Sequence, residues 1–243
     1  MIFQNTSVSV NYNKIEGITD AYFKNKPLLN EYFDEGTVIG IPETAPVEVP
    51  RVIIDTHHRH GKLNISPIAT TFSVFYNDGF EKNWNSCVEY IKARMENVFC
   101  FLNSLTDNNY IYIGVVTNLI YDDIMQGGCK RISENLLNSA KIHDLYDINI
   151  RYTFETPNDL FVNIMLQNAR IYKQGINIHK AGMLNINNQE YESIGSTVDI
   201  NDRCGFNRDS NYKSSSVKID DILNEMNEIF NSKLSNLIER GEY

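Results

Sequence analysis

From Ser7 to Asn13 the chain reads SVSVNYN, with an apolar residue at every second position. A period of two places Val8, Val10 and Tyr12 on one side of the backbone and predicts a strand with one buried face. The alternation decays between Lys14 and Pro50. There GTVIGIPETAPVEVP carries three of the six prolines, which predicts an extended, irregular connection. Strand character returns at RVIIDT through Val52, Ile53 and Ile54. Beyond a histidine-rich turn, KLNISPIATTFSVFY is rich in β-branched and aromatic residues. It predicts one long second strand, with Pro67 marking a bulge or an edge position.

The period changes at Glu81. Trp84, Val88, Ile91, Met95, Val98, Phe99 and Leu102 recur every three or four residues, the spacing of a helix with one apolar stripe. Asp107, Asn108 and Asn109 break it, and a similar order follows. YIYIGVVTNLIY (Tyr110–Tyr121) predicts a strand, and SENLLNSAKI (Ser133–Ile142) a short helix capped by Ser133. DINIRYTF and LFVNIMLQNARIYK flank ETPND and predict a hairpin, while SIGSTVDIND predicts a further strand. After Ser214–Ser216 a final helix carries Ile219, Leu223, Met226, Phe230 and Leu237 on one face, widened by Ile222 and Ile229.

This order predicts an α+β fold, an antiparallel sheet with long amphipathic helices packed on one face. Both halves can be laid out as a lone strand, an irregular or helical insert, a hairpin and a long helix. Two duplicated β-ββ-α halves are therefore expected: 1–106 as an N-terminal β-ββ-α half and 107–243 as a C-terminal β-α-ββ-α half, either separate or forming one continuous domain.

Composition then narrows the classes of function. The net charge of −9, with a pI near 5.1, repels a phosphate backbone, and no dense Lys/Arg run offsets it, so nucleic acid is an unlikely partner. No stretch approaches the roughly 18 apolar residues of a membrane span. The opening MIFQNTSVSVNYN lacks the basic and apolar regions of a secretory signal, so a cytoplasmic location without membrane contact is expected. Cys87, Cys100, Cys129 and Cys204 lie far apart with no C-x-x-C pair, as reduced thiols do.

Three stretches could carry chemistry. IIDTHHRHG holds His57, His58 and His60 at a strand end, where paired imidazoles can share a water-activating metal. Against this, Arg59 stands where the second ligand of an H-x-H pair from His57 would be, and only His143 and His179 remain elsewhere. A polar hairpin turn closed by Gly61 is the plainer reading. In DDIMQGGCKR, Cys129 lies beside Lys130 and Arg131, which could lower its pKa, with His143 as the nearest base in sequence. In STVDINDR, Asp199 and Asp202 could bind a divalent cation or act as an acid/base pair, or form a turn with Arg203.

The segment VPRVIIDT…GKLNISPIATTFSVFYNDGFEKNWNSCVEYIKARMENVFCFL, followed by YIYIGVVTNLIY, resembles a sporadically distributed bacterial family of about 250 residues and unknown function. Its pattern is a Pro-Arg strand, a hairpin strand ending in an aromatic, an amphipathic helix and a further strand. The resemblance covers Val49 to Tyr121, with STVDINDR similar to a late aspartate-bearing strand. The Pro-rich opening strand of that pattern is missing here. The resemblance implies a fold and carries over no catalytic residue.

The expectation is a non-enzymatic binding or interaction component that presents its sheet and helices to another protein or to a second copy of itself. It uses no cofactor, and an accessory role in a bacterial defence or toxin-linked system suits the family's distribution. The alternative is a metal-assisted hydrolase using the turn from His57 to His60.

Overall fold

The computed structural model describes residues 1–42, 44–77, 79–121, 127–137, 145–172 and 189–243. Its frame is one antiparallel sheet. The first strand, β1 (Ile2–Asn11), extends the predicted alternation toward the N-terminus, and Val8, Val10 and Tyr12 are at most 1% exposed. β1 pairs on one side with β5 (Ala69–Phe75) and on the other with β6 (Tyr112–Tyr121). It therefore joins the first segment of the chain to the second in the middle of the sheet. With β2 (Thr37–Val38), β3 (Val52–Asp55), β4 (Gly61–Ile65), β7 (Asn149–Glu155), β8 (Phe161–Tyr172) and β9 (Gln189–Asn201), the order is β2-β3-β4-β5-β1-β6-β9-β8-β7.

The long strand expected from Lys62 to Tyr76 is two strands. Pro67 sits in a tight turn between β4 and β5, where the Ser66 amide donates to the Ala69 carbonyl and the Ser66 hydroxyl oxygen accepts from the Ala69 amide at 3.0 Å. Pro67 has no N–H to contribute to a ladder, and a turn leaves none missing. Tyr12 locks this turn, its hydroxyl donating to the Ser66 carbonyl at 2.9 Å.

Helices lie against the side formed by the buried alternates. α1 (Ile18–Asn25) and a 3-10 turn (Lys26–Leu29) occupy part of the connection expected to be irregular. The helix predicted from Glu81 is α2 (Trp84–Thr106); Ile91, Met95, Val98 and Leu102 are fully buried, and the Asn83 side chain caps it by accepting from the Ser86 amide. α3 (Gly128–Leu136) starts five residues before the expected Ser133 cap, and residues 138–142 of the predicted helix lie outside the described residues. Gly128 lets this first turn lie against β9: a Cβ there would run into the Ser193 carbonyl oxygen. After α4 (Arg203–Arg208), the predicted last helix is built as α5 (Lys218–Glu228), a π-helical turn (Ile229–Lys233) and α6 (Leu234–Arg240), with every predicted apolar position buried.

Gly61 does not supply the turn geometry expected of it. The left-handed residue of the β3–β4 turn is Arg59, at φ +56°, and Gly61 opens β4. A Cβ at Gly61 would lie 2.7 Å from the Phe72 ring and 3.0 Å from Thr56 Cγ2. Gly61→Ala is therefore expected to cost about 1–3 kcal/mol in urea unfolding through overpacking. Gly40→Ala, with nothing near the added Cβ, should leave the midpoint nearly unchanged.

Candidate functional site

The three imidazoles of the turn do not converge. His57, His58 and His60 are exposed, and no group of three or more His, Cys, Asp or Glu side chains able to hold a metal forms among the described residues. His57 reaches back to the segment after the 3-10 turn. Its Nδ1 is 2.8 Å from Asp34 Oδ1, and its Nε2 is 3.2 Å from the Asn30 carbonyl oxygen. Both neighbours are acceptors, so both ring nitrogens are satisfied only as N–H donors, in the imidazolium form. The hydrogen bond it donates to Asp34 accordingly raises the pKa of His57 above its usual value. A ring donating from both nitrogens has no lone pair for a metal.

The Cys129 thiol sits in the first turn of α3 at 6% exposure, with Sγ 3.5 Å from the Tyr146 carbonyl oxygen. Burial pushes its pKa up, the opposite of an activated nucleophile, and His143 lies outside the described residues, as does His179. The two aspartates of STVDINDR part company. Asp199 projects from β9 and accepts from the side-chain amides of Asn163 and Asn201. Asp202 is fully buried past the end of β9, where it accepts from the Ile113 amide at 2.6 Å, from the Tyr212 hydroxyl at 2.7 Å and from the Ser214 hydroxyl. Three donors on one buried carboxylate pin the segment carrying α4 to the start of β6, a structural role. Arg203 is not its ion-pair partner but stands 5.5 Å over the Tyr112 ring.

The feature that composition did not single out is the second side of the sheet. In β1 the alternates of the core residues are Asn5, Ser7, Ser9 and Asn11, all half-buried, and the same parity continues through the register on both flanks. One row runs Asp55, Lys62, Ser73, Ser7, Val116, Asp199, Asn163, Thr153 across eight strands. The next row holds Phe75, Asn5, Asn118, Thr197, Met165 and Arg151. No helix among the described residues lies across these rows; the helices sit over the opposite parity, as the 3.8 Å approach of the Thr117 hydroxyl to Met226 of α5 shows.

The middle of this face is mostly polar, with Asp199 as its one charge, and its polar groups satisfy one another. The hydroxyls of Ser7 and Ser73 are 2.7 Å apart, and those of Ser9 and Thr71 3.2 Å. Asn118 donates to Asn5 at 2.9 Å and accepts from Thr197 at 2.6 Å. Charges sit toward the flanks, with Asp55 and Lys62 on one side and Arg151 and Glu155 on the other. Near Gly195, which brings no side chain to the face, a depression of 280 Å³ opens between Asn5, Asn118, Gln167 and Thr197. A mid-strand glycine of this kind admits close approach of another chain.

No protein-family model, curated protein or solved structure matches the chain. The site is therefore read from its own chemistry.

Two measurements follow from these placements. The His57 imidazolium adds stability that is fully present below pH 6.5 and is lost as pH rises through its raised folded-state pKa. The gap in melting temperature between wild type and His57→Gln is thus expected to be largest in mild acid and to close with increasing pH. Mass spectrometry of the native protein after brief alkylation should find the exposed Cys100 modified first. Cys129 and Cys87, the latter with its pKa pushed up to about 12 by burial, should be modified only on unfolding.

Proposed function

We propose that this chain is a binding component whose contact surface is the uncovered side of the sheet, and that its partner is a protein. The observation carrying this reading is the distribution of charge: a centre of mostly hydroxyls and side-chain amides whose one acid, Asp199, accepts from Asn163 and Asn201, with the other charged residues at the flanks. Protein interfaces have this anatomy, depleted of charge in the middle and charged at the rim. Phe75, 66% exposed on β5, adds an aromatic anchor of the kind that dominates interface energetics. The polar groups already bond within the face, so covering them leaves few donors or acceptors unpaired. An all-acidic or strongly basic ligand finds no matching charge there, which disfavours nucleic acid.

The same proposal takes the two halves of the chain as duplicated. Supporting this, β3-β4-β5-β1 from one edge and β7-β8-β9-β6 from the other meet in the same order, and each run is followed by a helical stretch, α2 or α5 with α6. The likeness of Val49–Tyr121 to a sporadically distributed bacterial family adds an accessory, cytoplasmic role in defence or in a toxin-linked system.

Phe75→Arg tests the reading without disturbing the core, because the side chain is exposed. A tagged chain recovered from its own cells should lose its associated protein with Phe75→Arg and keep it with Lys130→Glu on α3, whose side chain is 77% exposed. Unchanged recovery with both variants would remove the face from consideration.

A further inference from the structure

We infer that the partner on this face is a second copy of the chain, packed face to face about a two-fold axis that runs parallel to the strands between β1 and β6. The inference rests on the binding reading above and names its partner. Area is the first support. From β3 to β7 the face spans eight strands, which at about 4.8 Å per strand and about 3.3 Å per residue gives a footprint near 900 Å² for strands of about seven residues. A stable interface needs about 800 Å² from each partner.

Charge is the second support. The chain carries −9 overall, so two copies repel across most of their surface. On the rows of this face two bases, Lys62 and Arg151, stand against three acids, Asp55, Asp199 and Glu155, a net of −1. Self-association through this side therefore brings little like charge together. The proposed axis also lays β3-β4-β5-β1 of one copy over β7-β8-β9-β6 of the other. Lys62 then falls one strand away from Asp199 of the second copy, and Asp55 one step along β7 from its Arg151. Each contact occurs twice, as an isologous interface requires. Ser7 lies beside the axis, so a charge placed there meets its own image.

Sedimentation velocity on the full chain from about 1 to about 100 μM tests this, since interfaces of this size span micromolar and tighter affinities. The expected mass is twice the 28.0 kDa chain. Ser7→Arg should weaken the dimer by at least about tenfold while melting at nearly the wild-type temperature. Lys62→Glu and Asp199→Lys should each weaken it, and the double variant should recover part of the loss. A monomer throughout the range, or a dimer indifferent to Ser7→Arg, overturns the inference. If the monomer still loses a co-purifying protein with Phe75→Arg, the binding reading stands and only the second copy falls. If recovery is unchanged as well, both fall.

Discussion

The antiparallel pairing of β1 with β6 is the joint on which the rest of the structure depends. At its centre the hydroxyls of Thr6 and Thr117 meet at 2.9 Å, both residues fully buried, with Val8 and Val115 paired beside them. Every other strand attaches through one of these two, β5 with β4 and β3 on one side, β9 with β8 and β7 on the other. Without the joint, two smaller sheets would each expose a long edge. The β1–β6 pairing spans about a hundred residues of sequence, so β1 finds this second neighbour only after β5 and α2 have been made, a topology that favours slow folding.

That joint also creates the second face. A strand turns successive side chains to opposite sides, so the rule that buries Val8 and Val10 presents Ser7 and Ser9 outward. The helices cover one parity of the sheet. On the other, short polar residues predominate in the middle, with Val116 and Met165 among them, and they bond to each other across strands. A merely solvated sheet side commonly carries lysine and glutamate; here those charges stand mainly at the flanks. The restraint in charge in the middle of an acidic chain is what turns an uncovered side into a candidate contact.

How much of this was legible in the sequence depended on range. Val8, Val10 and Tyr12, the stripe of α2, and the β7–β8 hairpin around ETPND were readable because each is set by near neighbours. The β4–β5 hairpin was not. Apolar β-branched residues flank Pro67 on both sides, and the Ser66 hydroxyl bonds that make the turn leave no spacing signal. α1 escaped because only Ile18 and Tyr22 of its eight residues are buried. Gly61 looked like turn chemistry, but the Phe72 ring decides its identity from a strand away. The polar face could not be assembled at all: the alternation shows which side Ser7 takes, but nothing local tells that Ser73, Val116 and Asp199 stand in its row. The histidine turn drew attention by composition alone, and its one bonded ring holds two stretches of chain together.

The claim at the centre is that one parity of the sheet is buried and the other left uncovered by the described residues. Thiol labelling of single cysteines, placed at Ser7 and Thr197 or at Val8 and Val198 in a Cys100→Ser background, measures this directly when the protein is diluted enough to separate any copies. An uncovered face predicts labelling at Ser7→Cys and Thr197→Cys about a hundredfold or more faster than at Val8→Cys and Val198→Cys, where opening of the core limits it. Equally slow labelling at all four positions would mean that the chain folds over its own polar face, and would contradict the account.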